Sequence, residues 1–535
     1  MGIPSYYKKL CDSIPGLLNR TYTKKCAYMW IDFNCMMYHC LHRPGAVVYA
    51  GEESRHAFEA QFLQSICDYL EHLVKTIGPT HGVYIAVDGV VPMAKIRQQR
   101  LRRFKSLWTA SEEARLRNAS GEGCKGSEGS EGSGCSRWDT NAITPGTAFM
   151  EKLSSKLYEI QRRHPTWTIS TSDEPGEGEQ KCMTAMRSMH SINTHQEHIV
   201  YGLDADLIIL SLLQHRKDYK ITLFRETVDM GKVQYVDGKE QYSYLSMPIL
   251  ANALTSHLAT QAQKQQYLLD YCMCMSFVGN DFLPHGLSLS LKNNGHSIIL
   301  QLLKEKQNIV DEQKGWNLKK LRESIAWFAK QEEEWLKKAL SLKKRIQYQP
   351  AKGTGSELAY DEWFKTPLRR FDEVCLTHTA TYENIILRSD WQNVYYKRYL
   401  NGSSSSEKEY LRGLSWIFHY YMGHPVSKEW MFPWHLPPTW SRLESYANHI
   451  EEIDMHIPLS PETLQPQEQL ALVLPIQSWG LIRDKKLQKI PMYSPSLWPK
   501  SFQLFMAGKR AIWECEAMIP LFTPERLRYL LRQIK

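Results

Sequence analysis

Seven carboxylates lie in five short, separated patches of the chain: Asp32 in WIDFN, Asp88 in IAVDG, Glu177 and Glu179 in PGEGE, Asp204 and Asp206 in YGLDAD, and Asp281 in VGNDF. Each follows an apolar stretch or sits in a glycine turn, which is where a buried element runs out and an open α/β sheet builds its site. Gathered in one place, so many carboxylates would repel one another strongly, and their convergence therefore implies divalent cations, Mg²⁺ or Mn²⁺. The chemistry expected is metal-assisted phosphodiester cleavage. Two cations about 4 Å apart would activate a water and stabilise the leaving 3′-oxygen.

Acids so far apart in sequence need a scaffold that ends several elements at one place. KKCAYMWIDF reads as a buried strand ending at Asp32, and HGVYIAVDG as a second ending at Asp88. Between them, residues 56–76 carry Phe58, Phe62, Ile66, Leu70 and Leu73 on one helical stripe, which makes a βαβ crossover. HIVYGL predicts a third strand ending at Asp204, and DLIILSLLQH the helix after it. The expected fold class is α/β, a parallel sheet flanked by helices with the acidic centre at the carboxyl ends of its strands. Glu177 and Glu179, like Asp204 and Asp206, are two apart, and in extended backbone such a pair projects to one side. A single Asp at a strand end is more often a turn former or helix cap. It is the five patches together that favour a site.

At 535 residues and 43% hydrophobic content, the chain can hold two or three domains with sizeable cores. Lys and Arg outnumber Asp and Glu by 66 to 57, a net charge of +9. With part of the acidic count assigned to metal, the remaining surface is positive and suits a polyanion. The N-terminus lacks an apolar signal core and no run approaches the length of a membrane span, so an intracellular protein without a membrane anchor is expected. Tyr6 stands where a myristoylation motif starting at Gly2 wants Ser or Thr. The twelve cysteines show no paired CxxC pattern and read as reduced thiols. Cys35, His39, Cys40 and His42 fall in an apolar helical stretch and read as core rather than as a zinc site.

Three regions are expected. Residues 1–300 would form the nuclease-like unit, with a flexible Gly/Ser/Glu-rich insert at 119–136. Residues 301–350 would be a charged helical arm, solvated along its length from about Lys304 to Gln349. Residues 351–535, rich in aromatic segments such as LSWIFHYYMGH and EWMFPWHLPPTW, would form a mostly helical second region.

Immediately after the Asp88 turn, KIRQQRLRRFK holds six cations and no acid. At about 100° per residue, Lys95, Gln99, Arg102 and Arg103 lie at about 0, 40, −20 and 80°, one continuous face, while Arg97 and Arg100 point elsewhere. A lysine, an amide and two guanidiniums on one face beside a metal-ligand candidate make a socket for a terminal phosphate. A solvated basic helix is the plainer reading of such a run.

On these motifs the chain resembles the Xrn family of 5′→3′ exoribonucleases, whose core is PIN-like and related to flap endonucleases. The resemblance runs through MGIPSYYKKL, WIDFNCMMYHC, IAVDGVVPMAKIRQQRLRRFK, ITPGTAFM, EPGEGEQKCM, YGLDADLIIL and FVGNDFLPH, then GLSWIFHYYMGHP and EWMFPWHLPP, in the family's order. It implies a Mg²⁺-dependent nuclease that digests single-stranded RNA from a 5′-monophosphate end to 5′-mononucleotides. Asp32, Asp88, Glu177, Glu179, Asp204, Asp206 and Asp281 would be its acidic centre, and Lys95, Gln99, Arg102 and Arg103 its 5′-phosphate pocket. The family stacks the terminal base between aromatic rings, a role that falls here on Tyr38, with His39 next door, and on Trp430. Lys428 stands where the family has the first Trp of its WxW segment.

The small β-rich domains that follow in large cytoplasmic members are not seen, nor is the zinc knuckle of some nuclear ones, so the sequence looks like a minimal catalytic core. A monomer is expected, in the cytoplasm rather than the nucleus. Two rivals stand beside this reading: a 5′ DNA or flap nuclease, and a catalytically silent RNA-end binder.

Overall fold

The computed structural model describes residues 6–119, 138–189, 195–202, 204–229, 232–347, 350, 352–353, 355–369, 375–403, 405–460 and 463–534. The expected insert lies outside these residues from position 120 onward. Seven strands form the central sheet: β1 (Leu18–Asn19), β2 (Tyr28–Asp32), β3 (Gly82–Ala86), β4 (Trp167–Ser170), β5 (Glu197–Tyr201), β6 (Lys220–Glu226) and β7 (Tyr242–Ser246). Their order across the sheet is β1, β7, β6, β5, β2, β3, β4. From β6 to β4 all neighbours are parallel, while β7 is antiparallel to β6 and β1 to β7. The chain leaves β2 for β3 and β4 on one side, then returns to place β5 on the other. Strand order thus reverses between β2 and β5, and the crevice at the carboxyl ends there is where such sheets bind ligands.

Alternation along the strands builds both faces. Met29, Ile31, Ile199 and Tyr201 enter one core with the helices Arg55–Ile77 and Ala148–Arg163, whereas Trp30 and Val200 enter another with Asp206–His215 and Gln261–Cys274. The crossover helix expected at 56–76 is Arg55–Ile77, stopped by Gly78 in a left-handed conformation. DLIILSLLQH is helical over Asp206–His215 and buried almost all round, which is why its sequence shows no polar face.

The arm expected from Lys304 differs in two ways. A helix over Gly295–Glu305 and a small hairpin pairing Val310–Asp311 with Gly315–Trp316 come first, and the long helix starts only at Leu318 and runs to Gln347. Nor is it solvated along its length. Leu321, Ile325 and Phe328 are fully buried, and the Phe328 ring meets Phe277 at 5.2 Å and Trp440 at 4.5 Å between centroids. The charges that dominate its composition lie mostly on the outer face, with Glu332 and Lys344 buried.

The region beyond it is mostly helical, as expected, and shares its cores with the sheet. One cluster runs from Tyr6 through the Asp206–His215 helix to Trp416, Tyr421 and Met455, and another joins Ile96 and Phe104 to Leu472, Trp498 and Phe522. Among the described residues no helix is long and apolar enough to cross a membrane.

Candidate active site

The strand ends deliver the acids. Asp32 is the last residue of β2, Asp88 stands two residues beyond β3, and Asp204 three beyond β5. Asp88 is held on both oxygens: Gly178 N–H donates to Oδ1 at 2.6 Å and Asn34 Nδ2 to Oδ2 at 2.9 Å, while Asn34 Oδ1 accepts from the Asp88 N–H at 3.1 Å. Gly178 has to be glycine, because a Cβ there would stand 2.6 Å from Asp32 Oδ1 and 2.7 Å from the Ala86 carbonyl.

The paired acids reach the centre by a different route from the extended backbone expected. Glu177 immediately precedes the helix Gly178–Ser188, without a capping hydrogen bond from its side chain, and Glu179 lies in the first turn, while Asp206 opens the helix Asp206–His215 with Asp204 just before it. Both pairs therefore sit at helix N-termini, whose partial positive charge favours carboxylates. Asp281 follows Gly279, which takes φ 88° and where a Cβ would lie 2.6 Å from the His285 nitrogen. Asn280 then turns the chain by accepting from the Phe282 and Leu283 N–H groups.

Lys95 joins the far members of the set. Its ammonium pairs with Glu177 Oε2 and, at 2.8 Å, with Asp281 Oδ2, and Tyr420 donates its hydroxyl to Glu177 Oε1. One lysine does not balance the charge. Burial, reinforced by the neighbouring acids, holds Asp32, Glu179 and Asp206 well above the usual carboxylate range and raises Asp88. Burial also opposes charge on Asp281, but the surrounding cations, Lys95 foremost and Arg102 with it, together bring that carboxyl down to about 2. All seven acids act on this one centre: Asp32 feels Asp88, Asp204 and Glu177, Glu179 feels both Asp204 and Asp206, and Asp206 feels Asp281.

Asp206 shows the uncompensated charge most plainly. It is 1% exposed, and neither of its carboxylate oxygens has a hydrogen-bond partner among the described residues. An ionised carboxylate so placed is costly unless a cation meets it. An all-oxygen donor set with uncompensated negative charge fits a hard dication such as Mg²⁺ or Mn²⁺.

The basic helix spans Met93–Ala119. Its four expected pocket residues are placed differently from one another. Lys95 faces the acids, as above. Arg102 is exposed and lines a cavity of about 330 Å³ that also touches Asp281, Lys105 and Lys509. Arg103 donates to Thr144 Oγ1 at 2.9 Å and keeps a buried Nη1 without a hydrogen-bond partner among the described residues, as Gln99 keeps Oε1. Burial brings Arg103 down to about 10, with the Tyr38 hydroxyl near enough to oppose that shift.

Arg97, expected to point elsewhere, lines the same cavity as Arg102, donating to the Pro433 and Trp434 carbonyls. Arg100 does turn away, donating to the Leu472 and Leu497 carbonyls beneath Phe104, Trp498 and Phe522.

The two expected base-stacking rings also differ. Tyr38 is 38% exposed beside Arg103, a ring available to a ligand. Trp430 is 7% exposed, packed on Trp416 at 5.4 Å and against Gly413, with its Nε1 donating to Glu409. Its ring is part of the core and offers no free face in this structure, because the helix Ser406–Met422 closes over it.

Three site residues escaped the sequence reading. Asn34, Tyr420 and Lys181 hold Asp88, Glu177 and the Val87 and Thr171 carbonyls respectively. Asn34 lay within WIDFN, two residues from Asp32, and an amide that close to a ligand candidate was a usable signal. Nothing in the sequence pairs Tyr420 with a glutamate 243 positions away.

A mostly parallel sheet with acids around its switch point, flanked by a basic helix, is an α/β architecture that gathers oxygen ligands and phosphate-binding cations at one end of its strands. Residues 1–227 match the family model described as the XRN 5′-3′ exonuclease N-terminus and residues 384–535 that of the Xrn1 helical domain, and the chain belongs to the Xrn family. It is 25% identical over 679 residues to 5′-3′ exoribonuclease 1 of Saccharomyces cerevisiae, covering 98% of this chain and 43% of that protein. With the human 5′-3′ exoribonuclease 1 it shares 26% over 98% of this chain and 34% of that protein. With 5′-3′ exoribonuclease 2 of Yarrowia lipolytica it shares 32% over 51% of this chain and 30% of that protein. The chain spans less than half the length of the exoribonuclease 1 relatives.

Proposed function

We propose that this chain is a metal-dependent 5′→3′ exoribonuclease that removes 5′-mononucleotides from single-stranded RNA bearing a 5′-monophosphate. The observation that carries the reading is the set of buried carboxylates at the β2/β5 switch point, with Asp206 left unpaired, beside a basic helix. Family membership supplies the direction and the substrate class.

Mg²⁺ or Mn²⁺, bound by the oxygens of Asp32, Asp88, Glu177, Glu179, Asp204, Asp206 and Asp281, would supply the positive charge that activates water and stabilises the leaving 3′-oxygen. The protein's own groups do the rest. Asn34 and Gly178 fix the Asp88 carboxylate, and Tyr420 fixes Glu177, so that the ligand oxygens are set before substrate arrives. The unpartnered Arg103 Nη1 is a donor waiting for an acceptor, and with Arg102, Gln99 and Lys95 it would take the terminal phosphate. Anchoring the end places the next phosphodiester at the acids, a positioning effect that lets the enzyme count from the 5′ terminus. Tyr38 would carry the terminal base on its exposed ring.

The test is a panel of single strands alike except for the 5′ end and the sugar, with Mg²⁺ or with chelator. Release of 5′-mononucleotides from 5′-monophosphate RNA alone, abolished by chelation, is expected. Equal release from 5′-hydroxyl RNA would contradict the end-recognition, faster cleavage of DNA would favour a DNA nuclease, and binding without release would favour a silent end-binder.

A further inference from the structure

The stretch CMMYHCLH was set aside as a zinc site, and its cysteines do diverge: Cys35 Sγ turns to the Asp32 carbonyl and Cys40 Sγ toward the Ser65 carbonyl. His39 finds other partners. Its Nε2, with a carboxylate oxygen each from Glu226 and Glu240, forms a group whose three ligand atoms all lie within 4.8 Å of one another. We propose that His39, Glu226 and Glu240 form a structural metal site for a Zn²⁺-class dication, separate from the catalytic acids.

Three elements meet there. Glu226 is the last residue of β6, Glu240 lies on the ribbon that pairs Tyr235–Val236 with Lys239–Glu240, and His39 is on the helix Asn34–His42. One ligand oxygen, Glu226 Oε2, is left over by the hydrogen bonding around it. Glu226 is fully buried; Tyr201 donates to its Oε1 at 2.7 Å, the Tyr69 hydroxyl oxygen lies at the same distance from Oε1, and its Oε2 has no partner among the described residues. His39, 9% exposed, has Nε2 at 2.8 Å from Glu240 Oε1 without the geometry of a hydrogen bond. Tyr69 and Tyr242 donate to Glu240 Oε2, at 2.6 and 3.0 Å, and Tyr235 to Oε1.

Tyrosines thus orient both glutamates from outside, as outer hydrogen-bond partners orient metal ligands. The nearby cation, Arg43, stacks on Tyr69 at 5.0 Å and donates to Ser65 Oγ. Two carboxylates and one imidazole then face each other, with one buried Glu226 oxygen unpaired among the described residues and His39 Nε2 against Glu240, a charge and donor set that suits Zn²⁺. Bound there, the ion would brace the helix that carries Asn34 and Tyr38 against the sheet.

Metal-stripped full-length protein titrated with Zn²⁺ tests this, with bound metal per chain and the unfolding midpoint as readouts and Co²⁺ absorption as a spectral check. Wild type and Asp206→Asn should both bind an equivalent that raises the midpoint and gives a ligand-field band with Co²⁺. His39→Gln should bind one equivalent fewer, without the band. Should His39→Gln fail to fold, Glu240→Gln carries the same comparison. The proposal is overturned if these variants keep the equivalent, or if stripped wild type binds none, leaving a metal-free network of hydrogen bonds.

Discussion

Gly178 and Arg102 show how much chemistry single residues carry here. Alanine at 178 would push on Asp32 and on the Ala86 carbonyl, shifting one candidate ligand and the backbone N–H that holds another, Asp88. Misplacement on this scale costs on the order of 10²-fold in rate, so Gly178→Ala should lower turnover by at least about tenfold with RNA affinity little changed. Single-turnover kinetics beside a binding titration would show it, and unaltered turnover would remove the close contact from the account. Arg102 is exposed and makes no ion pair among the described residues, so Arg102→Ala should keep its melting temperature within about 1 °C. It should lose about tenfold or more on 5′-monophosphate RNA and little on 5′-hydroxyl RNA. Equal loss on both would sink the pocket assignment. At this scale the acid patches were legible as candidates because each follows an apolar stretch or sits in a glycine turn. Trp430 was not, because an aromatic in a core and an aromatic on a binding face look alike in sequence.

At the scale of elements, three of the five parallel strands, β2, β3 and β5, were readable from apolar runs, and the crossover helix Arg55–Ile77 from its stripe. Asp32, Asp88 and Asp204 mark where those strands stop, whereas β4 and β6 carry no such mark. The helix Leu318–Gln347 was misread, since its buried face depends on a partner more than a hundred residues away. Glu332 on that helix shows the tie: it accepts from the Trp440 and Ser441 N–H groups and so caps the helix Trp440–Ala447. Burial, only partly offset by those bonds, lifts its carboxyl from 4.5 to about 7. The folded state therefore holds the proton more tightly than the unfolded chain. Its contribution to stability is complete below about pH 4.5 and is lost as pH rises through about 7. Glu332→Gln carries no such charge, so its stability relative to wild type should improve by up to about 3 kcal/mol between about pH 5 and about pH 8. Chemical denaturation of both proteins across that range checks it; a constant difference would mean that Glu332 does not titrate there.

Across the whole molecule, the second region clamps the basic helix in place. Arg100 reaches the Leu472 and Leu497 carbonyls, Gln469 Oε1 accepts from the Val91 N–H at 2.8 Å, and the Lys428 carbonyl accepts from the Met93 N–H at 2.7 Å. Arg100→Ala should therefore destabilise the fold by about 3 kcal/mol, read by denaturant melting, because two buried carbonyls lose their donor. A loss below about 0.5 kcal/mol would mean the clamp lies elsewhere. None of this long-range pairing was legible, since sequence spacing orders the faces of one helix but not what covers them. The central claim is that the carboxylates at the switch point do the cutting. Asp206→Asn removes the charge that the fold leaves unpaired while keeping the side chain's shape, so the folded protein should persist and still bind RNA. The most direct measurement is release of 5′-mononucleotide from 5′-monophosphate RNA with Mg²⁺, with RNA binding followed in parallel. A fall of about 10³-fold or more with binding retained is the result expected, and release at the wild-type rate would contradict it.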